Sequence, residues 1–206
     1  MSSDVTESSS VEDDTRLGGT LDVEAAARAI KRGEIVGVPT DTVYGLAVDL
    51  YDEAALDRLY DVKGREDGKP IAILVASLEQ GLVLGAMSDR ALELAERYWP
   101  GAATLVVPRL DTAPDWLGDH GRRTVALRCP DHPVALALLE LTGPLAVTSA
   151  NRSDTAPAAT ADEAQAVFNN EVLTYLPGEA GGGAPSTLID LTRPTEVVLR
   201  QGPVTP

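Results

Sequence analysis

Cysteine is almost missing from this chain. Its 206 residues include one, Cys129, which excludes a disulfide framework and any cysteine-rich metal centre. Histidine is nearly as scarce, and His120 and His132 are too few and too isolated for a zinc site or a Ser-His-Asp triad. Lysine occurs only at Lys31, Lys63 and Lys69, beside fourteen arginines. No apolar run approaches the roughly 20 residues that cross a bilayer, so no membrane partner is expected. The polar, acidic N-terminus lacks the basic start and apolar stretch of a signal peptide, and a cytoplasmic location is expected.

What the chain has in excess is negative charge. Asp and Glu number 32 against 17 Lys and Arg, a net charge of −15. The mean field of such a protein repels phosphate, which disfavours bulk polyanion binding through a basic surface. At 44% hydrophobic residues the chain is not disordered overall. Its length suits one domain that buries well over half of its unfolded surface without staples. An acidic, lysine-poor surface suits a cytosol of high salt, where repulsion is screened. A salt-loving source is therefore expected, with an ordinary acidic protein as the alternative.

Residues 1–18 hold little to bury and read as a disordered acidic tail, leaving 19–206 as one catalytic domain. Helices are expected from Thr20 or Asp22 to Arg32, over Glu53–Val62, from a Ser88 cap to Pro100, from Pro133 to Gly143, and after a Thr160–Glu163 capping box. Strands are expected at Glu34–Val38, Ile71–Ala76, Thr104–Val107, Thr124–Arg128 and Leu145–Thr148, then near Leu173, Thr187–Leu191 and Val197–Arg200. The alternation predicts an α/β fold: a twisted open mixed sheet with flanking helices.

The familiar nucleotide motifs fail. Gly64-Arg-Glu-Asp-Gly68-Lys69-Pro70 has three residues between its glycines where a P-loop needs four, and Pro70 replaces the metal-binding hydroxyl. What remains are four polar clusters at strand ends, where open α/β sheets place ligands. Thr40-Asp41-Thr42 follows the first strand; a plain Pro/Thr/Asp turn is the alternative. Lys63, Arg65 and Lys69 form a positive island in an acidic chain, suited to clamping phosphate, with a solvated loop whose Glu66 and Asp67 neutralise its own cations as the alternative. Thr148-Ser149-Ala150-Asn151 offers hydroxyls and an amide, or a simple Asx turn. Thr124 and Arg128, four apart, share one face of a strand, and an arginine on an apolar strand calls for an anion. Ser186 and Arg200 complete this group, while Gly181-Gly182-Gly183 reads as a flexible loop or, in preference, a plain turn.

In order and spacing, the strings GEIVGVPTDTVYGLAVD, KGREDGKPIAILV, YWPGAATLVV, TVALRCPDHP, AVTSANRS, PSTLIDL and VLRQGPV resemble the YrdC-like family, the threonylcarbamoyl-AMP synthases. The resemblance covers about residues 20 to 204 and implies a concave, positively charged pocket. It implies formation of L-threonylcarbamoyladenylate and pyrophosphate from L-threonine, bicarbonate and ATP with Mg²⁺. A tRNA threonylcarbamoyltransferase complex then passes the group to tRNA, and direct tRNA binding is weak or absent. The resemblance places Thr42, Arg128, Ser149 and Ser186 around threonine. It places Arg65, Lys69, Thr124, Asn151 and Arg200 around ATP, with Lys63 and Arg65 stabilising charge at the phosphates. Two other readings remain: an RNA-binding module of the same fold, which the net charge disfavours, and carbamoyl-adenylate chemistry. Proteins of the latter kind also carry an acylphosphatase-like domain and zinc-finger motifs, which this sequence does not show.

Overall fold

A computed structural model describes the backbone of residues 12–64, 71–119, 121–153 and 155–206, with side chains from Asp22 onward. The expected tail over 1–11, and Arg65 and Lys69, lie outside the described residues. The chain alternates α1 (Glu12–Lys31), β1 (Val36–Val38), β2 (Gly45–Asp49), α2 (Glu53–Lys63), β3 (Ala72–Leu74), α3 (Leu78–Leu82) and α4 (Asp89–Tyr98). Then come β4 (Ala103–Pro108), β5 (Thr124–Arg128), α5 (Pro133–Thr142), β6 (Leu145–Ser149), α6 (Ala161–Phe168), β7 (Thr174–Tyr175), β8 (Thr187–Asp190) and β9 (Val197–Arg200).

Helix starts follow local chemistry. The side chains of Asp52, Ser88 and Thr160 accept hydrogen bonds from the backbone N–H of Ala55, Ala91 and Glu163 at 3.0, 3.3 and 3.2 Å, satisfying N–H groups that the first helical turn leaves without partners. Glu163 reaches back to the N–H of Ala159 at 2.7 Å, one residue beyond a standard capping box. Helix α1 begins at Glu12, ahead of the expected start at Thr20 or Asp22 and within the segment read as a tail. Its backbone runs on through Gly18-Gly19, residues of poor helix propensity that break the sequence signal.

Nine strands form one mixed sheet in the order β7-β1-β2-β6-β3-β5-β4-β8-β9. The pairs β1–β7, β3–β5 and β4–β8 are parallel and the rest antiparallel. Strand alternation sorts the core onto two faces. On one face Leu46, Val48, Ile73, Leu105, Val107, Val125, Leu127 and Ile189 pack under α2, α4 and α6 through Leu56, Leu59, Leu94 and Phe168. On the other, Val36, Val38, Ala47, Leu145 and Val147 pack under α1 and α5 through Ala26, Ile30, Leu138 and Leu139. That second cover takes residues from β1, β2, β6 and the Leu74 end of β3, and none from β5, β4, β8 or β9.

Candidate functional site

The cavity lies on that uncovered half of the sheet. Its volume is about 280 Å³. The opposite parity of the strands that build the core lines it: Ala72 and Leu74 of β3, Thr104 and Val106 of β4, Thr124, Ala126 and Arg128 of β5, Leu188 of β8 and Arg200 of β9. Thr40, Thr42, Gly45, Thr148, Ser149, Pro185 and Ser186 complete the wall, with Asp119 and Arg122.

One end is built around Arg128, whose side chain is only 6% exposed. Its Nε donates to Gly101 O at 2.9 Å, one Nη to Thr42 Oγ1 at 2.7 Å and the other to Asp41 Oδ1 at 2.5 Å. Asp41 Oδ1 also accepts the Asp131 N–H at 3.0 Å, so this carboxylate locks the guanidinium against the start of α5. Burial pulls the Arg128 pKa down, Asp41 opposes the shift, and the charge of Arg200 adds to it. Register explains the proximity: Arg200 pairs with Leu188, Leu188 with Thr104, and the neighbouring Leu105 with Leu127. Arg200 donates to Ser186 O and Oγ at 3.1 and 3.3 Å; Ser186 Oγ meets Thr104 Oγ1 at 2.6 Å. Among the described residues no carboxylate pairs with Arg200, and burial lowers its pKa too. Arg128 thus has one carboxylate partner and Arg200 none among the described residues, an arrangement that suits an anion.

Six of the residues expected at the site, Thr42, Thr124, Arg128, Ser149, Ser186 and Arg200, line this one cavity. Asn151 and Lys63 are placed beside it. Lys63, 4% exposed, donates to Ser149 O, Asn151 O and Asn151 Oδ1 at 2.6, 2.6 and 2.8 Å. Asn151 Nδ2 donates to Arg152 O and Thr155 O, each at 2.8 Å. Both side chains fasten the loop after β6, which holds Ser149 at the cavity. The three glycines 181–183, for which the sequence favours a plain turn over a flexible loop, dock on the cavity wall. Their N–H groups donate to Thr40 O and, twice, to Thr42 O at 2.9–3.2 Å. A Cβ on Gly181 would stand 3.0 Å from Asp41 O, a tight approach that favours glycine.

Asp119 and Arg122 were not singled out from sequence. Their link to the site runs through Asp190, 68 positions away from Arg122, and no local pattern announces such a contact. Asp190 is fully buried, and Arg122 donates to it at 2.7 Å. Burial alone would raise this carboxyl, but hydrogen bonds from Thr192 and Arg122 and the Arg122 charge hold it at about 2.

A buried Arg128, a more exposed Arg200 and a set of hydroxyls on the bare half of a mixed sheet give this α/β protein a cavity whose chemistry suits a small anionic ligand. The Sua5/YciO/YrdC profile, described as "Telomere recombination", matches residues 28–202. A protein from Mycobacterium tuberculosis named "Putative threonylcarbamoyl-AMP synthase" is 45% identical, over 88% of this chain and 84% of its own. Pyrococcus abyssi Sua5 complexed with L-threonine superposes with a TM-score of 0.84 at 38% identity, over 88% of this chain and 54% of that one. This chain thus spans about half the length of that archaeal protein. Escherichia coli YciO matches with a TM-score of 0.82 at 26% identity, over 89% of this chain and 90% of its own. The chain belongs to the Sua5/YciO/YrdC family.

Proposed function

We propose that the protein is a nucleotidyltransferase that makes L-threonylcarbamoyl-AMP from L-threonine, bicarbonate and ATP. The amine of threonine takes up bicarbonate with loss of water. A carboxylate oxygen of the resulting N-carboxy-threonine attacks the α-phosphorus of ATP, the bond from that phosphorus to the bridging oxygen breaks, and pyrophosphate leaves. The observation that carries the reading is the buried Arg128, paired with Asp41, together with Arg200, which has no carboxylate partner among the described residues, both lining one hydroxyl-rich cavity. A relative 38% identical is described with L-threonine bound, the ligand such an end would take.

In this reading Arg128 takes the threonine carboxylate as a charge-assisted pair, with Thr42, Ser149 and Ser186 supplying hydroxyls. Thr124 and Arg200 face the nucleotide, and Arg65 and Lys69 its phosphates; Lys63 and Asn151 act by holding Ser149 in place. No side chain needs to serve as nucleophile, and the rate comes from proximity and fixed charge in a site that limits water. Among the described residues no three His, Cys, Asp or Glu side chains gather as a metal site. Mg²⁺ is proposed to arrive on the triphosphate, where it supplies charge neutralisation.

The product would pass to a tRNA threonylcarbamoyltransferase complex in the cytoplasm. A net charge of −15 supports weak direct binding of tRNA and a salt-rich working solvent. No described helix is long and apolar enough to cross a membrane. Purified protein should release pyrophosphate from ATP only when threonine and bicarbonate are both present, with threonylcarbamoyl-AMP found by mass spectrometry. ATP turnover indifferent to threonine would sink the proposal.

A further inference from the structure

The glycines that dock at the Arg128 end of the cavity belong to a longer strap, residues 178–183. Ala180 N–H donates to Ala159 O at 2.7 Å, and the N–H groups of Gly181, Gly182 and Gly183 donate to Thr40 O and Thr42 O at 2.9–3.2 Å. Past the glycines the chain enters Pro185 and Ser186, which line the cavity. The strap therefore grips the turn that carries Thr42 and delivers Ser186.

The first residue of the strap rests on His132. A Cβ on Gly178 would stand 3.0 Å from Pro39 Cγ and 3.6 Å from His132 Cε1, so the proline ring and the imidazole form the seat on which Gly178 lies. His132 is the N-cap residue of α5, yet its side chain makes no capping hydrogen bond. Its Nδ1 is buried without a hydrogen-bond partner among the described residues. Three groups face the ring: the Glu179 backbone of the strap, the Asp41 carboxylate of the turn after β1, and Asp131 beside it in the chain. All three favour a charged imidazole, but burial outweighs them and pulls the pKa below its usual 6.5. The partial positive charge at the start of α5 acts in the same direction as burial. The ring is therefore neutral at neutral pH.

A proton on this ring adds a buried charge and a second N–H donor where Nδ1 has no acceptor. One side of the seat has to move. The α5 side is fixed, because the Asp131 N–H donates to Asp41 Oδ1 at 3.0 Å and Arg128 holds the same carboxylate. The strap side is exposed at Gly178 and Glu179 and is tied down by backbone hydrogen bonds, so it opens at the lower cost. We infer that His132 is a positioning residue: its neutral imidazole seats the strap that aligns Thr42 and Ser186, and a proton on the ring unseats that strap and loosens the hold on the ligand at Arg128. The inference rests on the proposed synthase reading for the identity of that ligand, L-threonine.

The test uses the full chain. It has only two histidines, so the His132 ring can be followed by NMR as pH is lowered from about 7.5 until the domain unfolds. Along that titration the hydrogen-exchange protection of the amides of glycines 181–183, corrected for the intrinsic rate at each pH, should fall about tenfold. The dissociation constant of L-threonine, measured by calorimetry, should rise about tenfold with it. His132→Phe keeps a ring that takes no proton, and in it both quantities should lose their pH dependence, whatever level they hold at neutral pH. The wild-type titration decides the matter even if that variant does not fold. A ring that charges with no loss of protection at the glycines would overturn the inference, as would a ring that stays neutral until the domain unfolds. Lost protection with unchanged threonine affinity, or a pH response that survives in His132→Phe, would overturn it equally. Hydrogen exchange needs no ligand, so the seat is tested apart from the synthase reading, which fails by itself if no threonine-dependent pyrophosphate release is found at neutral pH.

Discussion

Replacing Lys63 by methionine separates two roles for the scarcest kind of charge in this protein. As a phosphate clamp, Lys63 would be dispensable for folding and its loss would weaken ATP alone. The structure buries it with three short hydrogen bonds to the Ser149–Asn151 loop. Hydrogen bonds from a charged donor contribute about 1.5–3 kcal/mol each, so the gross interaction is large. Returning the ammonium to water offsets several kcal/mol of it, while the carbonyl and amide oxygens of Ser149 and Asn151 lose a partner in a site of similar shape. We expect a net destabilisation of about 3 kcal/mol, since removing one member of a buried charged contact typically costs about 3–5 kcal/mol. For a domain of this size that lowers Tm by about 6–12 °C. The assay is urea unfolding with thermal melting, alongside the threonine KM, which should rise as Ser149 loses its support. An unchanged melting temperature with loss of ATP binding would refute this reasoning and restore Lys63 to the phosphates.

Arg128→Ala should raise the threonine KM by about ten- to a hundredfold, the scale of a lost charge-assisted pair, with a smaller effect on ATP affinity; equal losses for both substrates would remove it from the threonine end. Asp190, held at about 2 against an ordinary 3.8, makes stability pH-dependent. Because folding depresses this carboxyl, its contribution is complete above about pH 4 and fades as pH falls toward 2, by about 2 kcal/mol. The stability gap between wild type and Asp190→Asn in denaturant titrations should therefore shrink by that amount between pH 5 and pH 2, and a gap constant with pH would contradict the assignment.

Much of the architecture was legible from local chemistry. Thr124–Arg128 was recognised end for end as a strand, and the caps at Ser88 and Thr160 and the Pro133–Gly143 boundaries stand where their residue types put them. Strand β2 was missed because Gly45-Leu46-Ala47-Val48 is buried on both faces and so shows no alternation, and it directly follows the polar Thr40–Thr42 turn. Helix α3 has five residues, too few for a helical period to register. At the site, hydroxyls and arginines at strand ends were readable because each sits on its own element. The fastening role of Lys63 and Asn151 was not, since it depends on partners across the sheet. Arg122 left no trace for the same reason.

Strand β5 gives Val125 and Leu127 to the core while Thr124 and Arg128 line the cavity. A one-residue insertion or deletion in such a strand turns every following side chain over. Arg128 would enter an aliphatic layer as Leu127 entered the anion site. Genetic drift therefore has no path through this segment that trades activity for stability by shifting register: a single frame serves both, and length changes are confined to the turns at either end.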